Sequence, residues 1–232
     1  MSQRFELILL DADGTLFDYD KAEGVSLRAA FSQYGLPYTA EVRSTYRGIN
    51  AALWRKFESR EISKSDLQHE RFRQLFAAIA CEGPSPIEFN KYYLEGLANN
   101  GSLLEGALET CRELAAHCPL AIATNGIAHV QKRRLASSAL APFVSQMAVS
   151  EDAGIPKPQA GFFEYALKLC GHTDKSSVLM VGDVLDTDIK GASDFGISTC
   201  WYNPGAQPAE RSDLRIDFEI RRLEELLRVV GL

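Results

Sequence analysis

The chain has 232 residues, 46% of them apolar, and a formal net charge of −6. That length suits one large domain or a core domain carrying a smaller one, and the apolar share supports a sizeable core without a long disordered stretch. An acidic chain with no basic block argues against a nucleic-acid polymer or an anionic membrane as partner, but is compatible with a small anionic ligand held by a local lysine or backbone N–H groups. The five cysteines, Cys81, Cys111, Cys118, Cys170 and Cys200, are odd in number and form no C-x-x-C pair. They read as free thiols of a reducing compartment. Glu6 interrupts the start, the apolar run after it is too short for a signal peptide, and no stretch approaches a membrane span. The expected location is the cytoplasm.

In chain order, the first element is the apolar run Leu7-Ile8-Leu9-Leu10, which breaks abruptly into Asp11-Ala12-Asp13-Gly14-Thr15. A short continuous apolar run ending in a polar, glycine-bearing turn reads as a buried strand of a parallel sheet. Its carboxyl end is where open α/β sheets bind ligands. Asp11 and Asp13 are two residues apart, so both can face one cleft. Their repulsion would be relieved by a shared cation, or by one of them staying protonated as an acid. A plain Asp-Gly turn would use the same residues, so the rest of the chain decides.

Residues 19–98 carry helical patterns and no convincing strand. Val25, Leu27, Ala29, Ala30, Phe31 and Tyr34 form one stripe, closed by Gly35 and Pro37. Thr39 can cap a long helix bearing Tyr46, Ile49, Leu53, Trp54 and Phe57 at spacings of three and four. Ser65-Asp66-Leu67-Gln68 reads as a capping box for a helix with Phe72, Leu75, Phe76 and Ile79. Pro84 and Pro86 precede a fourth helix from about Ile87 to Leu97. The expected organisation is a core of residues 1–18 and 99–232 with a helical bundle, 19–98, inserted after the first strand. Trp54, Phe57, Phe72, Phe76, Tyr92 and Tyr93 would be the core of the bundle. The crossings near Phe17-Asp18-Tyr19 and Asn99-Asn100-Gly101 could flex as hinges.

After a helix at Ala107–Ala116, the run Pro119–Ala123 predicts a second buried strand, ending in Thr124-Asn125-Gly126 before a helix from about His129. Such a junction offers a hydroxyl, an amide and backbone donors to a phosphate. Residues Phe143–Val149 lead to Ser150–Gly154 and then to Ile155-Pro156-Lys157-Pro158. Prolines on both sides stiffen the backbone at Lys157, which suits an ammonium that must reach one fixed anion. A helix at Gly161–Cys170 follows. Ser177–Val181 predicts another buried strand, running into Gly182-Asp183-Val184-Leu185-Asp186-Thr187-Asp188 and a helix that Gly196 ends. Ile197–Trp201 is a further strand, Arg215–Ile220 a short edge element, and Leu223–Val230 a closing helix.

The expected class is therefore α/β, a parallel sheet with an inserted helical domain. Three buried strands each end in a polar cluster, and the fold rule brings those ends to one edge. Carboxylates from two strand ends make an all-oxygen site suited to Mg²⁺. Thr124, Lys157 and helix N–H groups would neutralise a phosphoryl group, while one carboxylate attacks and another manages the proton. Spacing alone does not separate Asp186 from Asp188 as the supporting acid.

Asp11-Ala12-Asp13-Gly14-Thr15, Thr124-Asn125-Gly126, Lys157 and Gly182-Asp183-x-x-x-x-Asp188 occur in the order of the four motifs of haloacid dehalogenase superfamily phosphohydrolases, and the chain resembles that superfamily over nearly its whole length. The resemblance implies a Rossmann-like, three-layer core with a helical cap. It implies Asp11 as nucleophile and Asp13 as acid and base, with Thr124, Asn125 and Lys157 around the phosphoryl group. It also implies Mg²⁺ held by Asp11, the backbone carbonyl of Asp13, and Asp183. Asp188, favoured over Asp186, and Thr15 would support this from behind. A dehalogenase needs no proton for its leaving group, so Asp13 argues for phosphate esters. A phosphomutase signature is absent, and a complete catalytic set argues against an inactive interaction module.

A narrower resemblance is to the bacterial pyrimidine 5'-nucleotidases, carried by Ile49-Asn50-x-x-Leu53-Trp54, Arg71-Phe72, Lys157-Pro158, Thr199-Cys200-Trp201-x-Asn203-Pro204 and Arg222-Leu223-Glu224-Glu225-Leu226. Gly14 departs from it, since that group often has an acid there. The resemblance implies hydrolysis of UMP, dUMP and dTMP. The alternative is another small ester, such as a sugar phosphate or phosphoglycolate. Asn50 and Trp54, four apart on one helix face, would offer a polar edge and a flat wall to a base. Arg71 would reach a base carbonyl or sugar oxygen; alternatively Trp54 is buried between the helices and Arg71 only pairs with a neighbouring Glu. Monomer and weak homodimer both stay open.

Overall fold

The computed structural model describes residues 5–209 and 214–232. Six strands form its sheet: β1 (Leu7–Leu10), β2 (Leu120–Thr124), β3 (Gln146–Val149), β4 (Val178–Gly182), β5 (Ser198–Tyr202) and β6 (Phe218–Ile220). They run in the order β3-β2-β1-β4-β5-β6. Every pairing is parallel. This is the doubly wound α/β order, with β1 central. A central strand needs cover on both faces, so alternate residues of its apolar run serve different layers. Ile8 and Leu10 pack with Leu120, Ile122, Leu179 and Val181 on one face of the sheet, and Leu7 and Leu9 with Ala121, Ala123, Val178 and Met180 on the other.

Ten α-helices lie among the described residues. Four are consecutive: α1 (Tyr19–Gln33), α2 (Ala40–Glu58), α3 (Lys64–Ala78) and α4 (Pro86–Ala98). The others are α5 (Ala107–Ala115), α6 (Ala128–Ser137), α7 (Ser150–Ala153), α8 (Ala160–Leu169), α9 (Lys190–Phe195) and α10 (Glu225–Val230). Cys111 and Leu114 of α5 and Leu226 and Val230 of α10 cover the first face of the sheet. Phe162 and Phe163 of α8 and Ala192 and Phe195 of α9 cover the second. The result is a three-layer, Rossmann-like core.

The chain divides into two compact units, Met1–Tyr19 with Gly101–Leu232, and Asp20–Asn100. Within the first unit the entry and exit segments run side by side: Phe17 bridges to Leu103, and the Asp18 N–H donates to the Ser102 carbonyl at 2.9 Å.

The second unit is helical, and its core is aromatic. Phe72 stacks on Tyr46 with centroids 5.3 Å apart and lies 4.7 Å from Phe89. Phe31 and Tyr93 are also buried. Trp54 and Phe57 are only half-buried and Tyr92 is exposed, so these three lie outside the core the sequence suggests. Val25, counted in the α1 stripe, is exposed as well. Thr39 caps α2 by accepting from the Val42 N–H. The capping box of α3 is set by Ser63, not Ser65: the Ser63 hydroxyl accepts from the Asp66 N–H at 3.1 Å, and Asp66 accepts from the Ser63 N–H at 2.9 Å. Extended backbone at Ser63 puts the helix start two residues earlier than the sequence pattern implies.

β3 has no counterpart among the predicted strands. It lies at the sheet edge, with Gln146 exposed and Met147 half-buried, so it lacks the continuous apolar run that marks the central strands. No cysteine is in a disulfide. Burial pushes the Cys111 and Cys200 thiols up to about 12, which removes them as nucleophiles near neutral pH. No helix among the described residues is long and apolar enough to cross a membrane.

Candidate active site

The carboxyl ends of β1, β2 and β4 are adjacent in the sheet, and the polar residues that follow them converge there. Asp11 follows β1 directly, and its N–H donates to the Val181 carbonyl at 2.9 Å, which continues the ladder to β4. The side chain is buried, and Lys157 reaches it from 146 residues away. Lys157 Nζ donates to Asp11 Oδ1, Asp188 Oδ1 and the Ala123 carbonyl, each at 2.6 Å. All three ammonium donors are thus engaged. A phosphoryl oxygen would have to replace one of them.

Asn125 explains how Lys157 is held. Its Oδ1 accepts from the Lys157 N–H at 2.9 Å, and its Nδ2 donates to the Lys157 carbonyl at 3.0 Å. The amide expected for a phosphate therefore clamps the lysine backbone, adding to the flanking prolines. Thr124 is buried, and its hydroxyl accepts from the Gly126 N–H at 2.9 Å.

Asp183 follows β4. Thr15 donates its hydroxyl to Asp183 Oδ1 at 3.0 Å, and Trp201 at the end of β5 donates its indole N–H to the Asp183 carbonyl at 3.1 Å. Gly14 has φ +87°, and a Cβ there would lie 2.5 Å from Asp183 Oδ2. Both the left-handed backbone and the close approach require glycine. Asp186 and Asp188 part company in the structure. Residues Leu185–Ile189 form a single π-helical turn, which carries Asp188 inward and leaves Asp186 exposed. Asp188 accepts from Lys157 through Oδ1 and from the Val184 N–H through Oδ2 at 3.1 Å.

Asp11, Asp183 and Asp188 offer oxygens that lie within 4.8 Å of one another. Three carboxylates face one ammonium in a buried space, an excess of negative charge that a divalent cation would offset. The donors are all oxygens, which fits a hard ion such as Mg²⁺. Asp188 has both oxygens engaged by the protein, which suits it to support and leaves Asp11 and Asp183 as the better ligands. The electrostatics agree. Burial, reinforced by neighbouring carboxylates, raises the Asp11 carboxyl well above the usual range against the pull of Lys157. Burial and Asp188 raise Asp183 to about 7. Burial by itself disfavours the Lys157 ammonium, but Asp11 and Asp188 more than offset this and hold it above the usual lysine range.

This sets a pH dependence for the metal-free protein. A raised carboxyl binds its proton more tightly folded than unfolded, so rising pH removes stability. For Asp183 the window runs from 3.8, the ordinary value, to about 7. The full cost above that window is on the order of 4 kcal/mol. Urea unfolding in EDTA should therefore give a higher midpoint at pH 5.5 than at pH 8. Equal midpoints would count against raised carboxyls at Asp11 and Asp183 together.

The side chains named for substrate choice are spread differently. Asn50 is buried on α2. Trp54, one turn on, is half-buried, meets Phe57 edge-on at 5.7 Å, and has Lys64 Nζ 5.4 Å from its ring centroid. Arg71 lies inside the helical unit at 1% exposure. Its Nε and Nη2 both donate to Asn90 Oδ1, at 2.8 and 2.6 Å, and its guanidinium sits 5.0 Å from the Tyr93 centroid. It is part of the packing there.

Sequence reasoning passed over Gln131 and Arg134 of α6, which both donate to the Asp13 carboxyl. Their three-residue spacing on the helix that follows Thr124-Asn125-Gly126 was the available signal.

Residues 5–196 match the family described as haloacid dehalogenase-like hydrolase. YfnB of Bacillus subtilis (strain 168), which bears the name of a HAD hydrolase, is 33% identical over 99% of this chain and 97% of its own. Its crystal structure, described as bound to magnesium and revealing interdomain movement, superposes with a TM-score of 0.92 at 32% identity, covering 99% of this chain and 100% of that one. Two pyrimidine 5'-nucleotidases are similar as well. YjjG of Escherichia coli (strain K12) is 33% identical over 86% of this chain and 87% of its own. PynA of Streptococcus pneumoniae (strain ATCC BAA-255 / R6) is 36% identical over 86% and 84%. The chain belongs to the haloacid dehalogenase-like hydrolase family.

Proposed function

We propose that the protein is a Mg²⁺-dependent phosphomonoesterase that hydrolyses pyrimidine nucleoside 5'-monophosphates through an aspartyl-phosphate. The observation that carries the chemistry is Asp11 at the end of β1, with one oxygen fixed by Lys157. Among the described residues its Oδ2 accepts no hydrogen bond, which suits it to attack.

Asp11 Oδ2 attacks phosphorus, and the bond from phosphorus to the ester oxygen breaks with its electron pair leaving on that oxygen. Asp13, carrying a proton on the oxygen it turns from Gln131 to the substrate, gives that proton to the departing oxygen, and the alcohol is released. A water then attacks the phosphorus of the aspartyl-phosphate and gives a proton to Asp13. The bond to Asp11 breaks, which restores the Asp11 carboxylate and frees phosphate. Thr124 and main-chain donors after β2 steady the phosphoryl oxygens. Lys157 orients Asp11, and Asp188 holds Lys157. Mg²⁺, held by Asp11, Asp183 and the Asp13 backbone carbonyl, would supply positive charge against the phosphoryl oxygens when bound.

In this reading the core recognises only the phosphoryl group, and the helical unit supplies the selectivity. Its half-buried Trp54 keeps a ring surface for a flat base, and Asn50 lies one turn away on the same helix. Arg71 is left out of substrate contact because Asn90 and Tyr93 already enclose it. The two nucleotidase relatives support the pyrimidine reading. UMP, dUMP and dTMP should exceed AMP, GMP and sugar phosphates in kcat/KM. A screen of phosphate monoesters with Mg²⁺ checks this. Sugar phosphates or phosphoglycolate outranking every pyrimidine nucleotide by about tenfold, roughly 1.4 kcal/mol of transition-state binding, would reject the substrate and leave the chemistry standing.

A further inference from the structure

Asp13 stands apart from the Lys157 network and is held by α6. Gln131 Nε2 donates to its Oδ2, and Arg134 Nη1 to its Oδ1. The donors are three residues apart on one helix, one for each oxygen. Both side chains are 1% exposed, unusual for either residue type. The Arg134 guanidinium lies 4.5 Å from the Phe17 ring centroid. Among the described residues its Nε and Nη2 make no hydrogen bond, and neither does Gln131 Oε1. Asp13 is the ion-pair partner of Arg134 in this buried setting.

Such a pair is a poor device for fold stability alone. Burying a charge carries a large desolvation cost, and an apolar replacement of similar volume is often neutral or stabilising. Local sequence is also shaped around it. A Cβ on Gly126 would lie 2.2 Å from Gln131 Nε2, so glycine in Thr124-Asn125-Gly126 keeps open the path from Gln131 to Asp13. We propose that Gln131 and Arg134 are positioning residues that aim the Asp13 carboxyl at the leaving oxygen. The charged contact at Oδ1 is the stronger and acts as the pivot, and the neutral amide contact at Oδ2 is the one exchanged for substrate. This rests on the reading of Asp13 as the acid and base.

The test compares Gln131→Leu and Arg134→Met on two esters, in holoenzyme with Mg²⁺. An alkyl phosphate such as UMP needs a proton on its leaving oxygen, whereas p-nitrophenolate departs without one. First-turnover release of the alcohol isolates that step. Each variant should slow release from UMP roughly 10–100-fold and from p-nitrophenyl phosphate by less than about threefold. In an Asp13→Asn background neither substitution should add a further loss. Guanidinium ion should partly restore Arg134→Ala. Equal losses on both esters, or full additivity with Asp13→Asn, would overturn the proposal. Should Arg134→Met fail to fold, Gln131→Leu and Gly126→Ala decide by the same comparison. Asp13→Asn is the control for the underlying reading. If it spares UMP hydrolysis, the acid–base role fails and takes this inference with it; if it alone is selective, only the inference fails.

Discussion

Replacing Asp11 with Asn should abolish turnover and leave the fold intact. The amide matches the carboxylate in shape, and its oxygen can still accept from Lys157 Nζ, which now lies 2.6 Å from Asp11 Oδ1. What it lacks is the nucleophilic charge. A loss of roughly 10⁴ or more in kcat is expected, the scale seen when a nucleophile is removed from a residue set that acts as a unit. Stability should not fall, because the substitution takes one charge out of a cluster crowded with carboxylates. Turnover of p-nitrophenyl phosphate and a urea midpoint for the same sample check both halves. Near-native activity in Asp11→Asn would remove the aspartyl-phosphate from the mechanism. Lost activity with a collapsed midpoint would leave the assignment to a second measurement, an aspartyl adduct with beryllofluoride on the native enzyme.

Removing the metal should have an effect of similar size. Asp11, Asp183 and Asp188 lie within 4.8 Å of one another, and Lys157 counters only part of their charge. A dianionic phosphate adds to that repulsion, so binding and attack both need a cation. Exhaustive EDTA treatment should bring activity to background, and Mg²⁺ should restore it. Mn²⁺ or Co²⁺ should substitute. Ca²⁺ should inhibit, because its larger radius and looser coordination misplace the nucleophile. The same titration has a readout independent of turnover: at pH 8, Mg²⁺ should raise the urea midpoint of the EDTA-treated protein by occupying the site whose carboxyls are costly to ionise. Full activity in EDTA would sink the metal assignment.

Much of the core was legible because buried parallel strands advertise themselves. Leu7–Leu10, Leu120–Thr124 and Val178–Gly182 are continuous apolar runs that stop at polar residues, and the polar residues are those that meet at one sheet edge. The edge strand β3, with Gln146 exposed, has no such run and was not legible. The helical unit showed its periodicity but not which rings are inside. Spacing treats Phe72 and Trp54 alike, yet Phe72 is enclosed by Tyr46, Phe89 and Tyr93 while Trp54 keeps an open side.

By itself the sequence determined the class of fold, the strand ends and the residue types placed there. These follow from local patterns of burial and turn chemistry, which a linear reading can detect. Tertiary structure decided most of the partners. Spacing left Asp186 and Asp188 alike and only the family resemblance favoured Asp188; one π-helical turn brings Asp188 to Lys157 and leaves Asp186 exposed. Asn125 clamps the Lys157 backbone across 32 residues, Arg71 pairs with Asn90 inside the helices, and α6 supplies both donors to Asp13. Each of these contacts depends on strand order, register and helix rotation. Those are set by packing between distant segments, of which a linear reading offers at most a hint such as the three-residue spacing of Gln131 and Arg134.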